Sequence, residues 1–161
     1  MDFNGDQANL EVRLRHLQAT YVRLLDEDRL EEVPDLFTPE ASYRVITYEN
    51  KKADFPIAII DAANRDMLID RIAALRHANV YEPQRYRHIL SFLTIDNMDG
   101  TTAKCTTSFL VIRTMIDGTQ ELFVSGVYED VIDLSGSDVL FKEKTVVLDG
   151  DKIDTLIAIP I

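Results

Sequence analysis

Three histidines, one cysteine and a spread of carboxylates are the groups through which this chain could do chemistry. His88 follows Arg85, Tyr86 and Arg87. A histidine set beside tyrosine and carboxylates inside a curved sheet suits general acid–base work. Asp26, Asp28, Asp35, Tyr43 and Asp130 are the groups that could share such a site. The plainer role is that His88 donates hydrogen bonds at a strand start or a subunit contact, while the arginines pair with carboxylates. The residues favour that plainer role, so no catalytic residue is assigned and His88 stands as the alternative.

Metal chemistry needs more ligands than these. A Rieske cluster takes two cysteines and two histidines, and Cys105 is alone. A mononuclear non-haem iron takes two histidines and a carboxylate converging on one face. His16 and His77 fall on separate predicted helices, beside Arg15 and Arg76, and read as surface residues. No metal or cofactor site is therefore expected in this chain. Cys105 lies mid-strand among Thr and Lys with no base beside it in sequence. It reads as a satisfied or half-buried thiol, since a nucleophile needs an activating partner. Neither a Gly-rich phosphate loop nor a nucleophile elbow is present.

The elements that must position these groups fall into two blocks. Leu10, Leu14, Leu17, Tyr21, Leu24 and Leu25 recur at helical spacing, with Arg13, Arg15, Gln18 and Arg23 on the other face. A short helix is expected over 30–37, ended by Thr38-Pro39. A strand over 42–49 follows, then a helix over 64–79 burying Met67, Leu68, Ile72, Leu75 and Ala78. From Arg87 onward five strands are expected, over 87–96, 102–115, 120–134, 138–148 and 152–159. Asp99-Gly100, Asp117-Gly118, Asp149-Gly150 and Ser135-Gly136-Ser137 supply turns tight enough to make neighbours antiparallel. The order is that of an α+β domain spanning 1–161, with N-terminal helices packed on one face of a strongly curved antiparallel sheet.

Alternation in 120–134 is imperfect. Leu122, Val124, Tyr128 and Ile132 share one face with Gly126 and Asp130. Phe123, Val127 and Val131 share the other with Glu121, Ser125 and Glu129. A sheet with one solvated face alternates more cleanly, so a partner chain or an enclosed pocket is expected on the second face.

Bulk properties narrow the partners. A formal net charge of −11 argues against nucleic acid and an anionic membrane surface as partners. No apolar run approaches the roughly 20 residues of a membrane span. The polar, acidic start Met1-Asp2-Phe3-Asn4-Gly5-Asp6 is unlike a signal peptide, so a cytoplasmic protein is expected.

Several stretches then match in order and spacing. They are Leu24-Leu25-Asp26-Glu27-Asp28-Arg29-Leu30, Pro34-Asp35-Leu36-Phe37-Thr38 and Tyr43-Arg44-Val45. Further on come Arg71-Ile72-Ala73-Ala74-Leu75-Arg76 and Tyr81-Glu82-Pro83-Gln84-Arg85-Tyr86-Arg87-His88. Phe109 to Thr114, Leu122 to Tyr128 and the tail Ile153 to Ile161 complete the set. Along nearly its whole length the chain resembles the small (beta) subunit of aromatic-ring-hydroxylating dioxygenases. The resemblance implies the curved-sheet fold shared with nuclear transport factor 2, ketosteroid isomerase and scytalone dehydratase. It implies a non-catalytic structural role beside a large (alpha) subunit, commonly three of each, with the small subunits associating as a trimer. The large subunit would hold the Rieske 2Fe-2S cluster and the mononuclear iron, with a separate reductase supplying electrons. The flavour is that of enzymes acting on aromatic carboxylates. Val33 stands where the family often has Trp, and Thr107-Ser108-Phe109 where it often has Ser-Asn-Phe. The alternative within the same fold is a free-standing isomerase or dehydratase with His88 as its acid–base group.

Overall fold

A computed structural model describes residues 3–55, 57–78, 83–151 and 159–161. The first element is α1 (Phe3–Asp26), followed by a 3-10 turn (Leu30–Leu36) and strand β1 (Phe37–Thr47). Then come α2 (Tyr48–Lys52), β2 (Ile60–Ala62) and α3 (Arg65–Ala78). Five strands close the described chain: β3 (Gln84–Leu90), β4 (Thr94–Met98), β5 (Thr102–Met115), β6 (Gln120–Asp133) and β7 (Leu140–Leu148). The sheet runs β2-β1-β7-β6-β5-β3, and β4 also pairs with β5. All pairings are antiparallel except β1 with β7, which run parallel, a pairing that the long connection over 48–139 allows. The architecture is the expected α+β one, helices first and a curved, mostly antiparallel sheet after. The expected strand over 152–159 lies outside the described residues.

Tyr21 of α1 shows how the sheet wraps the helix. Its ring meets Phe37 of β1, Tyr128 of β6 and Phe141 of β7 edge-on, at centroid distances of 6.3, 6.0 and 5.7 Å. One helical side chain touches three strands only if the sheet bends around it. The bend comes with register shifts, where an extra residue tightens the local twist. One lies between Val131 and Ile132 of β6, another between Phe37 and Ser42 of β1. Pro39 sits inside that second irregularity, where a missing N–H costs no ladder bond. The strand therefore starts at Phe37, earlier than Thr38-Pro39 suggested.

Other boundaries moved for similar local reasons. The expected strand over 87–96 is two strands, β3 and β4, which share β5 as partner. Tyr48 begins α2, capped by Thr47 Oγ1 accepting from the Asn50 N–H. In α1 the polar face is narrower than expected, because Gln18 is buried. In α3, Leu68, Ile72 and Leu75 are buried as expected, whereas Met67 faces solvent.

A third register shift corrects the reading of β6. Val111 pairs with Val124, but Ile112 pairs with Leu122, so Phe123 is the extra residue. Beyond it the alternation inverts. Leu122 turns outward at 64% exposure. Phe123 turns inward, stacks on Tyr86 at 5.3 Å and lies under the Arg113 guanidinium at 4.5 Å.

Candidate functional site

Three polar constellations lie on the concave face. The first ties the end of α1 to β3. Asp26 is the last residue of α1, and His88 is an inward residue of β3 with a fully buried side chain. His88 Nδ1 and Asp26 Oδ1 are 2.7 Å apart, so the ring nitrogen donates to the carboxylate. The His88 backbone N–H donates to both carboxylate oxygens at 3.1 Å. Arg87 Nη1 lies 3.7 Å from Asp26 Oδ2. The histidine is thus fixed in one orientation, with Nε2 buried and lacking a hydrogen-bond partner. A ring held by a carboxylate through Nδ1 is the geometry that makes Nε2 an acid–base atom.

The second constellation is a caged cation. Lys144 of β7 and Asp130 of β6 face each other in register, both side chains fully buried. Lys144 Nζ donates to the Asp130 oxygens at 3.1 and 3.3 Å and to Gln18 Oε1 at 3.2 Å. The rings of Tyr128, Phe141 and Tyr21 surround it at 4.0, 4.4 and 4.3 Å. Burial draws Lys144 down to about 8 and raises Asp130, outweighing the partner's charge on each.

The third is a tyrosine pair holding backbone. Tyr21 Oη and Tyr43 Oη donate to the Ile161 carbonyl at 2.8 and 3.1 Å. Tyr43 Oη also accepts from the Ile161 N–H at 2.9 Å. Burial pushes Tyr43 up to about 12, so it stays a neutral hydroxyl.

Of the sequence candidates, Asp26 and His88 come together. Asp28 instead joins Glu31 in holding Arg76 of α3, with Arg76 Nη1 2.9 Å from Asp28 Oδ1. Asp35 is exposed. Tyr43 and Asp130 serve the two other constellations. His16 and His77 are exposed, and His77 Nδ1 contacts the Ala73 carbonyl at 2.8 Å. Cys105 is buried on the inner face of β5, and burial pushes its thiol up to about 12. Lys144, Gln18 and Tyr21 were not singled out from the sequence. Asp130 between inward Tyr128 and Ile132 was the available signal, because a buried carboxylate calls for a cation on the next strand.

At the mouth of the concave face, a cleft of about 660 Å³ lies between α1 and β3. Leu25, Asp26, Gln84, Tyr86, Arg87 and Ile159 contribute to its lining. Its walls carry charges, unlike the closed apolar pocket that an isomerase reading calls for, and His88 is not part of them. Among the described residues, no group of three or more His, Cys, Asp or Glu is placed to hold a metal ion. None of the helices there is long and apolar enough to cross a membrane.

The convex face carries apolar side chains. Arg87, Ile112 and Leu122 form one cross-strand row, and Ile89, Leu110 and Ser125 the next. Ile89 is 49% exposed, and Leu110, Ile112 and Val127 are half-buried. α2 packs against β1 and β7, in which Ile46 and Val147 are buried, and its Lys51 pairs with Glu129 of β6.

Comparison with known proteins agrees with this architecture. Residues 6–136 match the model of the SnoaL-like domain family. The chain is 38% identical over 151 residues to the terephthalate 1,2-dioxygenase terminal oxygenase component subunit beta 1 of Comamonas sp., covering 94% of this chain and 98% of that one. It is 34% identical over 145 residues to the anthranilate 1,2-dioxygenase small subunit of Burkholderia cepacia, covering 90% of each. A crystal structure of the beta subunit assigned to an aromatic-ring-hydroxylating dioxygenase of Novosphingobium aromaticivorans superposes with a TM-score of 0.89. That pair is 34% identical, and the match covers 96% of this chain and 99% of the other. The chain therefore belongs to the SnoaL-like family and, within it, to the small subunits of aromatic-ring-hydroxylating dioxygenases.

Proposed function

We propose that the chain is a non-catalytic structural subunit that assembles with a large subunit bearing a Rieske cluster and a mononuclear iron, three copies of each. The observation that carries this is the match to two oxygenase small subunits over nine-tenths or more of both partners' length. A match on that scale supports reading 1–161 as one unit. The two relatives' names specify terephthalate and anthranilate, so the ring substrate of the assembly is an aromatic carboxylate. The convex apolar rows around Ile89, Leu110, Ile112 and Leu122 supply a contact surface, since exposed apolar patches of this kind mark association sites. Permanent complexes bury on the order of 2,000 Å² or more. Co-expression with the large-subunit partner, followed by sizing, tests the reading. A hetero-oligomer of about six chains is expected, and failure to co-purify would overturn it.

A second reading gives His88 an acid–base role in a free-standing isomerase or dehydratase. Its support is the 2.7 Å contact with Asp26. The relatives favour the first reading. Turnover by the purified chain alone, abolished in His88→Gln, is the result that would carry the second.

A further inference from the structure

The outer faces of β3 and α3 carry opposite charges that the chain itself does not use. On β3, Tyr86 and His88 are buried, so Arg85, Arg87 and Ile89 alternate onto the convex face. Among the described residues, the Arg85 side chain has no ion pair or hydrogen bond. Arg87 has one long contact, 3.7 Å to an Asp26 carboxylate that already accepts from His88. The acids on this part of the sheet are taken, Glu121 by Arg113 and Glu129 by Lys51. Ile112 and Leu122 continue the row that starts at Arg87. The patch is apolar, with a basic margin along the edge strand.

α3 presents the reverse. Leu68, Ile72 and Leu75 face the core, while Met67 and Ile69 are each 44% exposed. Asp66, Asp70, Ala73 and Ala74 are exposed with them. Among the described residues, the Asp66 and Asp70 side chains have no ion pair or hydrogen bond. Two arginines of the helix turn elsewhere, Arg65 to the Phe37 carbonyl at 3.4 Å and Arg76 to Asp28 and Glu31. The spacings match. Residues two apart on a strand lie about 6.5–7 Å apart, and residues one turn apart on a helix about 6 Å. Exposed alanines let such a helix lie close to a sheet. Within one copy the two faces do not pair: α3 packs on β1 and β2, and β3 is at the other end of the strand order. We propose that the convex β3–β5–β6 patch of one copy receives the α3 face of a second copy. Arg85 and Arg87 meet Asp66 and Asp70, and Ile112 and Leu122 meet Met67 and Ile69. Because the two faces differ, the contact is head-to-tail, the kind that can close into a ring. It names the occupant of the convex surface, and it rests on the subunit reading for the count of three.

Sedimentation of the full chain alone, over a range of protomer concentrations, tests the contact. Arg85→Glu with Arg87→Glu, and separately Asp66→Arg with Asp70→Arg, set like charges against each other. Each pair should weaken self-association about tenfold or more. All four changes in one chain restore opposite signs and should recover most of the association. Lys104→Glu with Lys142→Glu, which changes the net charge as much as the arginine pair, should leave association as it was. Circular dichroism and the urea midpoint show that each variant is folded. If the fourfold variant does not fold, the two pairs measured against the lysine control decide. A wild type that stays monomeric, pairs that associate as wild type does, a lysine control that weakens association equally, or a folded fourfold variant that recovers nothing would each overturn the contact. Co-purification with the large subunit is scored apart. Its failure, with self-association and rescue intact, would remove the subunit reading and leave this contact standing.

Discussion

Replacing Lys144 with Met removes the cation from a cage of three rings and leaves Asp130 fully buried. The stranded carboxyl must then either stay charged in apolar surroundings or take up a proton. Starting from the ordinary 3.8, holding it neutral at pH 7 costs about 1.36 kcal/mol per unit, or ~4 kcal/mol. That agrees with the roughly 3–5 kcal/mol seen when one partner of a buried pair is removed. The sign follows from proton uptake. In the variant the folded state holds a proton that the unfolded state has lost above pH 3.8, so stability falls as pH rises. The deficit should be ~4 kcal/mol at pH 7 and shrink to about 1.5–2 kcal/mol at pH 5. In a chain of 161 residues this lowers Tm by about 10–15 °C at pH 7. Adding Asp130→Leu removes the stranded charge and should recover at least half of the loss, because apolar replacements of buried pairs are often neutral. Urea unfolding of wild type, both single variants and the double, at fixed protomer concentration and two pH values, gives the cycle. A Lys144→Met cost under about 1 kcal/mol, strictly additive singles, or a deficit that does not change with pH would refute the reasoning.

Other consequences can be checked separately. A Cβ at Gly126 would lie 2.1 Å from the Val147 carbonyl oxygen, so Gly126→Ala should destabilise by about 1–3 kcal/mol or more, read from the urea midpoint. With its thiol pushed up to about 12, Cys105 should resist Ellman's reagent at pH 8 in the folded chain and react promptly in denaturant. Fast native reaction would contradict the burial. Asp99 accepts from the Thr101 and Thr102 N–H groups and is drawn down to about 2. Its depressed value means the turn is supported above about pH 4 and loosens as pH falls toward 2, visible as loss of amide protection at Thr101 and Thr102.

The order of elements was legible because it rests on local signals. Leucines at helical spacing placed α1, and Asp-Gly pairs placed the hairpins at 99–100 and 117–118, where both glycines adopt positive φ. A single cysteine and three histidines argued against metal chemistry from counting alone. The family resemblance read from ordered stretches anticipated the relatives found by comparison. His88 was singled out from its neighbours Arg85, Tyr86 and Arg87, and the structure gave it the Asp26 carboxylate.

What the sequence could not decide depended on register and on contacts between distant residues. The extra residue Phe123 inverts the faces of β6 beyond Val124, so Leu122 points outward although simple alternation puts it inward. No composition rule marks a bulge, because it depends on the register between β5 and β6. Nothing local in the sequence marks Lys144 as buried; strand pairing sets it opposite Asp130 and under three rings. The Asp26–His88 contact spans 62 positions, and the Tyr21 contact with Ile161 spans 140. Local propensity and periodicity are determined within a few residues of chain. Which polar groups share a buried space is settled only when the strands close around the helix.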